Sequence, residues 1–414
     1  MPRGETGELI KPDGKFIRDV IRRGGDSAKK CFQCGTCSVT CELSYARERA
    51  GFPRKLMLWT QWGLKDRVLR DTGIWLCHQC NDCSANCPRG ANPGDVLAAV
   101  RSLAVEHFSA PSFLSRLFSD PRGLPVVFGL TTAILLVLVA VLQGFDYPEG
   151  EIEYARFISH TAIYIAAPLT VAYAAVVAGL GLLRYWRQLQ IGSDEALAAV
   201  PDAAAPEPEA GGAEATEPTE PSAGPGAMAA SASGLSLGSG LASTSTDIAL
   251  HSSFRQCQTD KPRLWGHLAV FYGTPFLLIA TSLAAIYSFT GAEVQRPASD
   301  PAKILGNLGA ILIFAGIVVF AFNRLRAKKG SWGRGSYTDW FLLGIILLLV
   351  VTGAVLEVAR YADAASLAYS LYLVHLVVVF VAFAYAPHGK FAHVFYRTAA
   401  LMFARSRGLG GTQR

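Results

Sequence analysis

Charged side chains are scarce in this chain. Asp, Glu, Lys and Arg make up 17% of its 414 residues against 51% apolar, a balance that excludes an ordinary soluble domain and points to a bilayer. The opening stretch MPRGETGELIKPDGKF lacks an apolar run before a cleavage site, so no secretory signal is expected and the first domain is placed in the cytoplasm. A glycine fingerprint for a flavin or nicotinamide nucleotide is also lacking, which makes the chain one component of an oxidoreductase rather than a complete enzyme. The first hundred residues show too little β-alternation for a sheet-based ferredoxin and predict helices. No internal repeat is evident. The net charge of +6 is modest and sits beside apolar runs, which argues for membrane orientation and no nucleic-acid partner.

Cysteine is confined to one region. Eight of the nine lie between Cys31 and Cys87, and in a reducing compartment such spacing argues for metal rather than disulfides. CFQCGTCSVTC carries Cys31, Cys34, Cys37 and Cys41, and CHQCNDCSANCP carries Cys77, Cys80, Cys83 and Cys87. Both read CxxCxxCxxxC. Three cysteines two residues apart wrap three corners of a cubane, and the fourth ligates the partner cluster in two-cluster proteins. The expected sets are Cys31, Cys34, Cys37 and Cys87 for one [4Fe-4S] centre and Cys77, Cys80, Cys83 and Cys41 for the other. A pair of zinc sites would leave the third cysteine of each triple idle. Glu42 stands where such runs commonly carry proline. His78 reads as a surface residue more readily than as one that tunes a cluster, and Cys257 as an unligated thiol.

Past residue 115 the sequence alternates apolar runs with polar ones. Six candidate spans run about 124 to 145, 158 to 184, 265 to 289, 304 to 323, 338 to 358 and 367 to 386, each near the ~20 residues a bilayer requires. Lys and Arg concentrate in RYWRQLQ, NRLRAKKGSWGRGS and KFAHVFYR, while FDYPEGEIEYAR and GAEVQRPASDPAK are acidic or balanced. Both termini and the cysteines are therefore expected on the cytoplasmic side of a bacterial or archaeal inner membrane. Between the second and third spans lies an Ala, Pro, Glu, Ser and Gly stretch with no apolar period, read as a disordered linker.

Clusters beside a helical bundle need an electron partner in the membrane, and haem b held by two histidines on facing helices is the usual one. His267 lies near the cytoplasmic start of the third span, and His375 and His393 lie on or just past the last. The latter two are 18 residues apart, five turns and ~27 Å along one helix face, an argument loosened by Pro387 between them, a residue type that kinks or breaks helices. By depth, His267 pairs with His393, and His375 with His160. The alternative leaves His160 as an interfacial anchor and His375 bonded to a neighbouring helix, with one haem or none. His388 and His107 read as interfacial or surface residues. Glu357, Arg360 and Asp363 read as relays for quinone protons or as plain solvated anchors.

CFQCGTCSVTCEL, FPRKLMLWTQWGLKDRV and IWLCHQCNDCSANCPRGANPGDVLAAVR together resemble the iron–sulfur C subunit of heterodisulfide reductases. They resemble more closely the C subunit of the quinone-interacting membrane-bound oxidoreductase complex, Qmo. That family fuses a helical two-cluster module to a cytochrome b domain similar to the gamma subunit of respiratory nitrate reductase. The resemblance implies two flavoprotein partners similar to the A subunit of heterodisulfide reductase, and beyond them adenylylsulfate (APS) reductase. It implies electron flow between membrane quinone and the APS/sulfite couple. In the nitrate-reductase relative four histidines hold two haems; the pair spaced like His375 and His393 is present here, but ten residues after His267 stands Leu277.

The expected fold class is all-α: a helical two-cluster ferredoxin domain (1–115), two transmembrane helices (116–190), a disordered linker (191–255), four further helices binding haem b (256–400) and a basic tail (401–414). The expected function is electron transfer between the quinone pool and soluble flavin and iron–sulfur subunits, linked to APS reductase. Two rivals remain. One is a heterodisulfide-reductase-like or sulfite-reduction-linked membrane protein, and the other a haem-free membrane anchor for soluble carriers.

Overall fold

The computed structural model describes residues 11–41, 43, 51–142, 148, 150–198, 237–255, 261–290, 297–326 and 335–406. Among them there are helices and no strand. Cys257 and Glu42 lie outside the described residues.

The first domain is built from short helices. Asp13 caps α1 (Gly14–Val20), its carboxylate accepting from the backbone N–H of Lys15 at 2.8 Å and of Phe16 at 2.9 Å, which satisfies two of the donors a helix start leaves open. The chain then forms α2 (Thr36–Val39), α3 (Arg54–Gln61), α4 (Lys65–Arg70), α5 (Gly73–Leu76), α6 (Asp82–Ala85), α7 (Pro93–Phe108) and α8 (Ser112–Ser119). Pro93 opens α7, where its missing N–H costs nothing. Val96, Leu97, Val100, Ala104 and Phe108 recur at helical spacing along α7, and all are buried. That stripe is the spine of a core that takes in Phe16, Leu56, Met57, Val68 and Ile74.

Among the described residues six helices are long and apolar enough to cross a membrane: Pro121–Val141, Thr161–Ser193, Lys261–Phe289, Pro301–Arg326, Tyr337–Tyr361 and Ala365–Tyr385. They belong to α9 (Leu124–Leu142), α11 (His160–Ala198), α14 (Lys261–Phe289), α15 (Pro301–Arg326), α16 (Tyr337–Tyr361) and α17 (Ala365–Tyr385), with the short α10 (Tyr154–Phe157), α12 (Leu237–Leu250), α13 (Ser252–Arg255) and α18 (His393–Ser406) between and after them. On α9, Val126, Leu130, Ile134, Val137 and Val141 are all exposed, an apolar stripe that only lipid tails would cover. α14 and α15 pack antiparallel through glycine. Gly266 and Gly273 of one face Gly316 and Gly309 of the other; a Cβ on Gly273 would lie 2.9 Å from the Gly309 carbonyl oxygen. The backbones meet because neither side carries a side chain there.

The two domains share a core. α11 has 39 residues, about 58 Å of helix, which outruns a ~30 Å hydrocarbon layer. Its far end brings Tyr185 and Leu189 into the first domain's core, where Tyr396, Ala400, Leu401 and Phe403 of α18 join them.

Three expectations are corrected. The linker assigned to 191–255 is helical at both described ends, through Ala198 and again in α12 and α13. α12 packs on α18, with Thr244 and Asp247 buried and Asp247 paired to Arg405 at 2.9 Å. Its low complexity hid a helix held by tertiary contacts. The basic tail begins too early at 401, since Leu401, Phe403 and Ala404 are buried. Finally, His375 and His393 are not on one helix face: α17 ends at Tyr385, and Ala386–Ala392 turns before α18 begins. Pro387 cannot continue the hydrogen-bond ladder, and Gly389 lies so close to the Tyr385 ring that a Cβ would sit 1.9 Å from it.

Candidate functional site

The two cysteine motifs fold alike, a local repeat that the rest of the sequence conceals. In each, the glutamine before the second cysteine is left-handed, Gln33 at φ 60° and Gln79 at φ 57°. The residue after that cysteine is left-handed too, Gly35 at φ 88° and Asn81 at φ 67°; glycine and asparagine are the residue types that tolerate this region. The chain curls tightly enough to enter a one-turn helix, α2 or α6, bearing the third cysteine, Cys37 or Cys83. These two turns pack against each other.

The structure brings the eight cysteines into two groups. Cys31, Cys34, Cys37 and Cys87 interact with one another. Cys41, Cys77, Cys80 and Cys83 line a single pocket together with Phe52, His78 and Leu97. Each group thus contains the fourth cysteine of the other motif. Burial pushes the Cys37 thiol up to about 11 and the Cys83 thiol well above its ordinary value. Clustered thiols in an apolar wall resist ionisation unless a multivalent cation offsets their charge, and an iron–sulfur centre supplies that charge. Cys34 is exposed and its thiol is lowered by hydrogen bonds from Thr36. Among the described residues no three His, Cys, Asp or Glu side chains close to the spacing of a single metal ion.

Both loops are gripped from behind by one side chain. Gln61 donates from Nε2 to the carbonyls of Ala28 at 2.9 Å and Cys31 at 3.0 Å, and accepts from Gln33 Nε2 at 2.9 Å. Arg101 does the same for the second loop, donating to the carbonyls of Ile74 at 2.6 Å and Cys77, and to Gln79 Oε1 at 3.3 Å. The second loop is held twice more. Arg263, at the start of α14, donates to the Gln79 carbonyl. Arg397 of α18 donates to the carbonyls of Trp75, Leu76 and Cys77 at 3.3 to 3.4 Å and meets His78 Nδ1 at 2.9 Å. His78 is therefore a half-buried link to the membrane domain rather than a surface residue. Sequence reading missed Gln61, Arg101, Arg263 and Arg397, because no local pattern marks a residue whose partner lies tens of positions away.

Of the four candidate haem ligands, the structure brings two together. His267 faces His393 as well as Arg263 and Arg397. His393 Nδ1 lies 2.8 Å from the Lys390 carbonyl, so Nδ1 carries the proton and Nε2 keeps its lone pair, the tautomer a metal ligand needs. Burial, with Lys390, Arg101 and Arg397 nearby, holds His393 down to about 4, a neutral ring at pH 7. A third histidine, His251, stands 4.9 Å from His267 between ring centroids; lying in the supposed linker, it was overlooked. Two imidazoles are the donor set a haem iron takes; of the cations nearby, Arg263 and Arg397 are committed to the cluster loop and Lys390 to Asp339.

The other pair differs. His375 Nδ1 bonds to Thr352 Oγ1 of α16 at 2.7 Å. α17 instead meets α11 through Leu376 and Phe380, which line a small apolar pocket with Ala162, Ile163 and Ala166. His160 begins α11. Leu277 packs on Gly309 within the glycine seam, so that position is apolar packing. His388 is fully buried rather than interfacial, with Ser109 Oγ 2.6 Å from Nδ1 and Tyr173 Oη 2.5 Å from Nε2. His107 is exposed. Glu357 takes hydrogen bonds from Asn307 and Tyr361 near the C-terminal end of α16.

Comparison with known proteins supports both halves. The 4Fe-4S dicluster domain profile matches residues 27–91. The C subunit of the H(2):CoB-CoM heterodisulfide,ferredoxin reductase of Methanothermobacter thermautotrophicus is 35% identical over 101 residues, 24% of this chain and 54% of the relative. A protein of Archaeoglobus profundus, named for its likeness to the C subunit of heterodisulfide reductase, is 35% identical over 113 residues, 27% of this chain and 56% of its own. The chain spans about half the length of these relatives. Citrate utilization protein B of Escherichia coli is 25% identical over 338 residues, 79% of this chain and 80% of that protein. No solved structure matches. The profile named citrate utilization protein B covers residues 121–409, well over half of the sequence and the whole bundle, and the chain belongs to that family.

Proposed function

We propose that this chain is the membrane component that carries electrons between a quinone pool and soluble flavin and iron–sulfur subunits. Cys31, Cys34, Cys37 and Cys87 hold one [4Fe-4S] cluster and Cys41, Cys77, Cys80 and Cys83 the other, while His267 and His393 hold haem b. Clusters and haem each supply a one-electron couple. The observation that carries the reading is Arg397. Sitting one turn beyond His393 on the same helix, it touches the Cys77 carbonyl and the His78 ring, so a single side chain spans the gap between haem ligand and cluster loop. At the other end Cys34 is exposed and flanked by exposed Phe32 and Val39, the face on which a soluble partner docks. His375 and His160 remain the ligands of a second haem only if His375 gives its Nε2 to it. On this reading both termini and the cluster domain lie in the cytoplasm, which the Lys and Arg content of the intervening loops supports.

The soluble partners on this reading are proteins like those of heterodisulfide reductase, linked to APS reductase as in the Qmo complex. The alignment with a citrate utilization protein along four fifths of both chains favours a second reading, in which the same electron path serves citrate utilization. The test is a pyridine haemochrome assay with iron and sulfide analysis on the detergent-purified chain, followed by reduction with quinol. Haem b that quinol reduces, with roughly eight irons per chain, supports the reading. A folded, cluster-loaded protein without haem overturns it and leaves a membrane anchor. Mass spectrometry of the partners that copurify then separates the two soluble readings.

A further inference from the structure

We infer that Arg101, reinforced by Arg263 and Arg397, sets the cluster of Cys41, Cys77, Cys80 and Cys83 at the higher reduction potential of the two, so that the gradient slopes from the exposed Cys34 side toward the membrane. This rests on the reading that both cysteine groups hold [4Fe-4S] clusters.

Gln61 and Arg101 occupy equivalent positions. Each bonds the carbonyl of the first cysteine in its motif, the carbonyl three residues before it and the side chain of the glutamine two residues after it. The geometry is the same, but one clamp is neutral and the other carries a full charge. A cluster bound by four thiolates gains negative charge when it takes an electron, and a fixed cation close by favours that state. Around the second loop three guanidiniums converge on residues 74–79. Around the first, Arg54 is the cation that faces Cys31 and Cys34, and it is exposed, where water and salt screen it. Exposure of Cys34 acts in the opposite sense, because water also stabilises a reduced cluster. Exchanging Gln61 and Arg101 isolates the charge while leaving exposure as it is.

One consequence is directional. A soluble reductant that gives one electron at a time to the first cluster finds the second downhill, and two such electrons with two protons convert a quinone to quinol.

The experiment is an EPR-monitored redox titration of the full-length, detergent-purified chain. Arg101→Gln is expected to lower the midpoint of the higher-potential cluster alone, and Gln61→Arg to raise that of the lower one alone. The double exchange narrows or inverts the gap. Arg397→Gln lowers the same midpoint as Arg101→Gln, whereas Arg397→Lys, which keeps the charge, restores it; this pair decides the matter if Arg101→Gln loses iron. Equal shifts in both clusters, no shift, or a shift confined to the lower-potential cluster overturns the inference. Iron and sulfide content of the unmodified protein tests the cluster reading itself, and absence of haem leaves the inference intact.

Discussion

His393 and Arg397 stand one turn apart on α18 and serve opposite sides of a boundary. His393 Nδ1 is fixed by the Lys390 carbonyl at 2.8 Å, and Arg397 reaches His78 Nδ1 at 2.9 Å in the cluster loop. Residues four apart share a helix face, so the proposed haem ligand and the link to the cysteine loop are oriented by one rigid element. Replacing His393 or His267 by alanine is therefore expected to abolish haem b absorbance while iron and sulfide stay at the unmodified level. Optical spectra and metal analysis of the same preparation check it. Retention of haem in both variants would remove them as ligands.

Crossed ligation of the clusters is tested by the fourth cysteines. Cys87 groups with the Cys31 motif, and Cys41 lines the cavity of the Cys77 motif. Cys87→Ser should perturb the cluster near exposed Cys34, and Cys41→Ser the cluster gripped by Arg101. Each variant should lose or convert one of two EPR signals, and the two variants should lose different ones. If Cys87→Ser instead alters the signal that Arg101→Gln shifts, ligation is local to each motif.

The parts legible in the sequence were the contiguous ones. Cysteine spacing, six apolar runs and the position of His267 need only local pattern. Arg101 and Arg397 are single basic residues on amphipathic helices, and nothing short-range distinguishes a buried clamp from a solvated face. APHGK looks like an interfacial loop, yet His388 within it is enclosed by Ser109, Tyr173 and Phe118, which come from three distant segments. α12 is rich in Ser, Thr and Gly, poor helix formers, and its helix depends on packing against α18. The seven-residue spacing of Gly266 with Gly273 and of Gly309 with Gly316 was visible all along, but without a partner helix it carries no meaning.

His388 makes stability depend on pH. Burial draws its ring down to about 4, below the ~6.5 of a free imidazole, so the folded state resists protonation more than the unfolded one does. The stability this contributes is complete above about pH 6.5 and is lost as pH falls toward 4, amounting to about 3 kcal/mol at most. Thermal unfolding in detergent should show Tm falling steeply from pH 7 to pH 5. His388→Gln should start lower at pH 7, since one of its two bonds is lost, and decline less. Parallel slopes in the two proteins would assign the acid sensitivity to other groups.

The glycine seam couples bundle packing to the proposed haem ligand, because Gly266 precedes His267 directly. Gly273→Leu brings a Cβ to 2.7 Å from Ile313 Cγ1 and 2.9 Å from the Gly309 carbonyl oxygen, contacts that only separation of α14 from α15 relieves. Overpacking of this kind costs about 1–3 kcal/mol or more, and the displacement moves His267 relative to His393. Reduced Tm together with substoichiometric haem b and normal iron content is the expected outcome. Gly344 on α16 provides the control, since a Cβ there meets nothing within 4 Å. Gly344→Ala should leave haem unchanged and hold or raise Tm, because alanine favours helix over glycine by roughly 0.5–1 kcal/mol. Full haem content in Gly273→Leu would show that the ligand histidine is positioned independently of the seam.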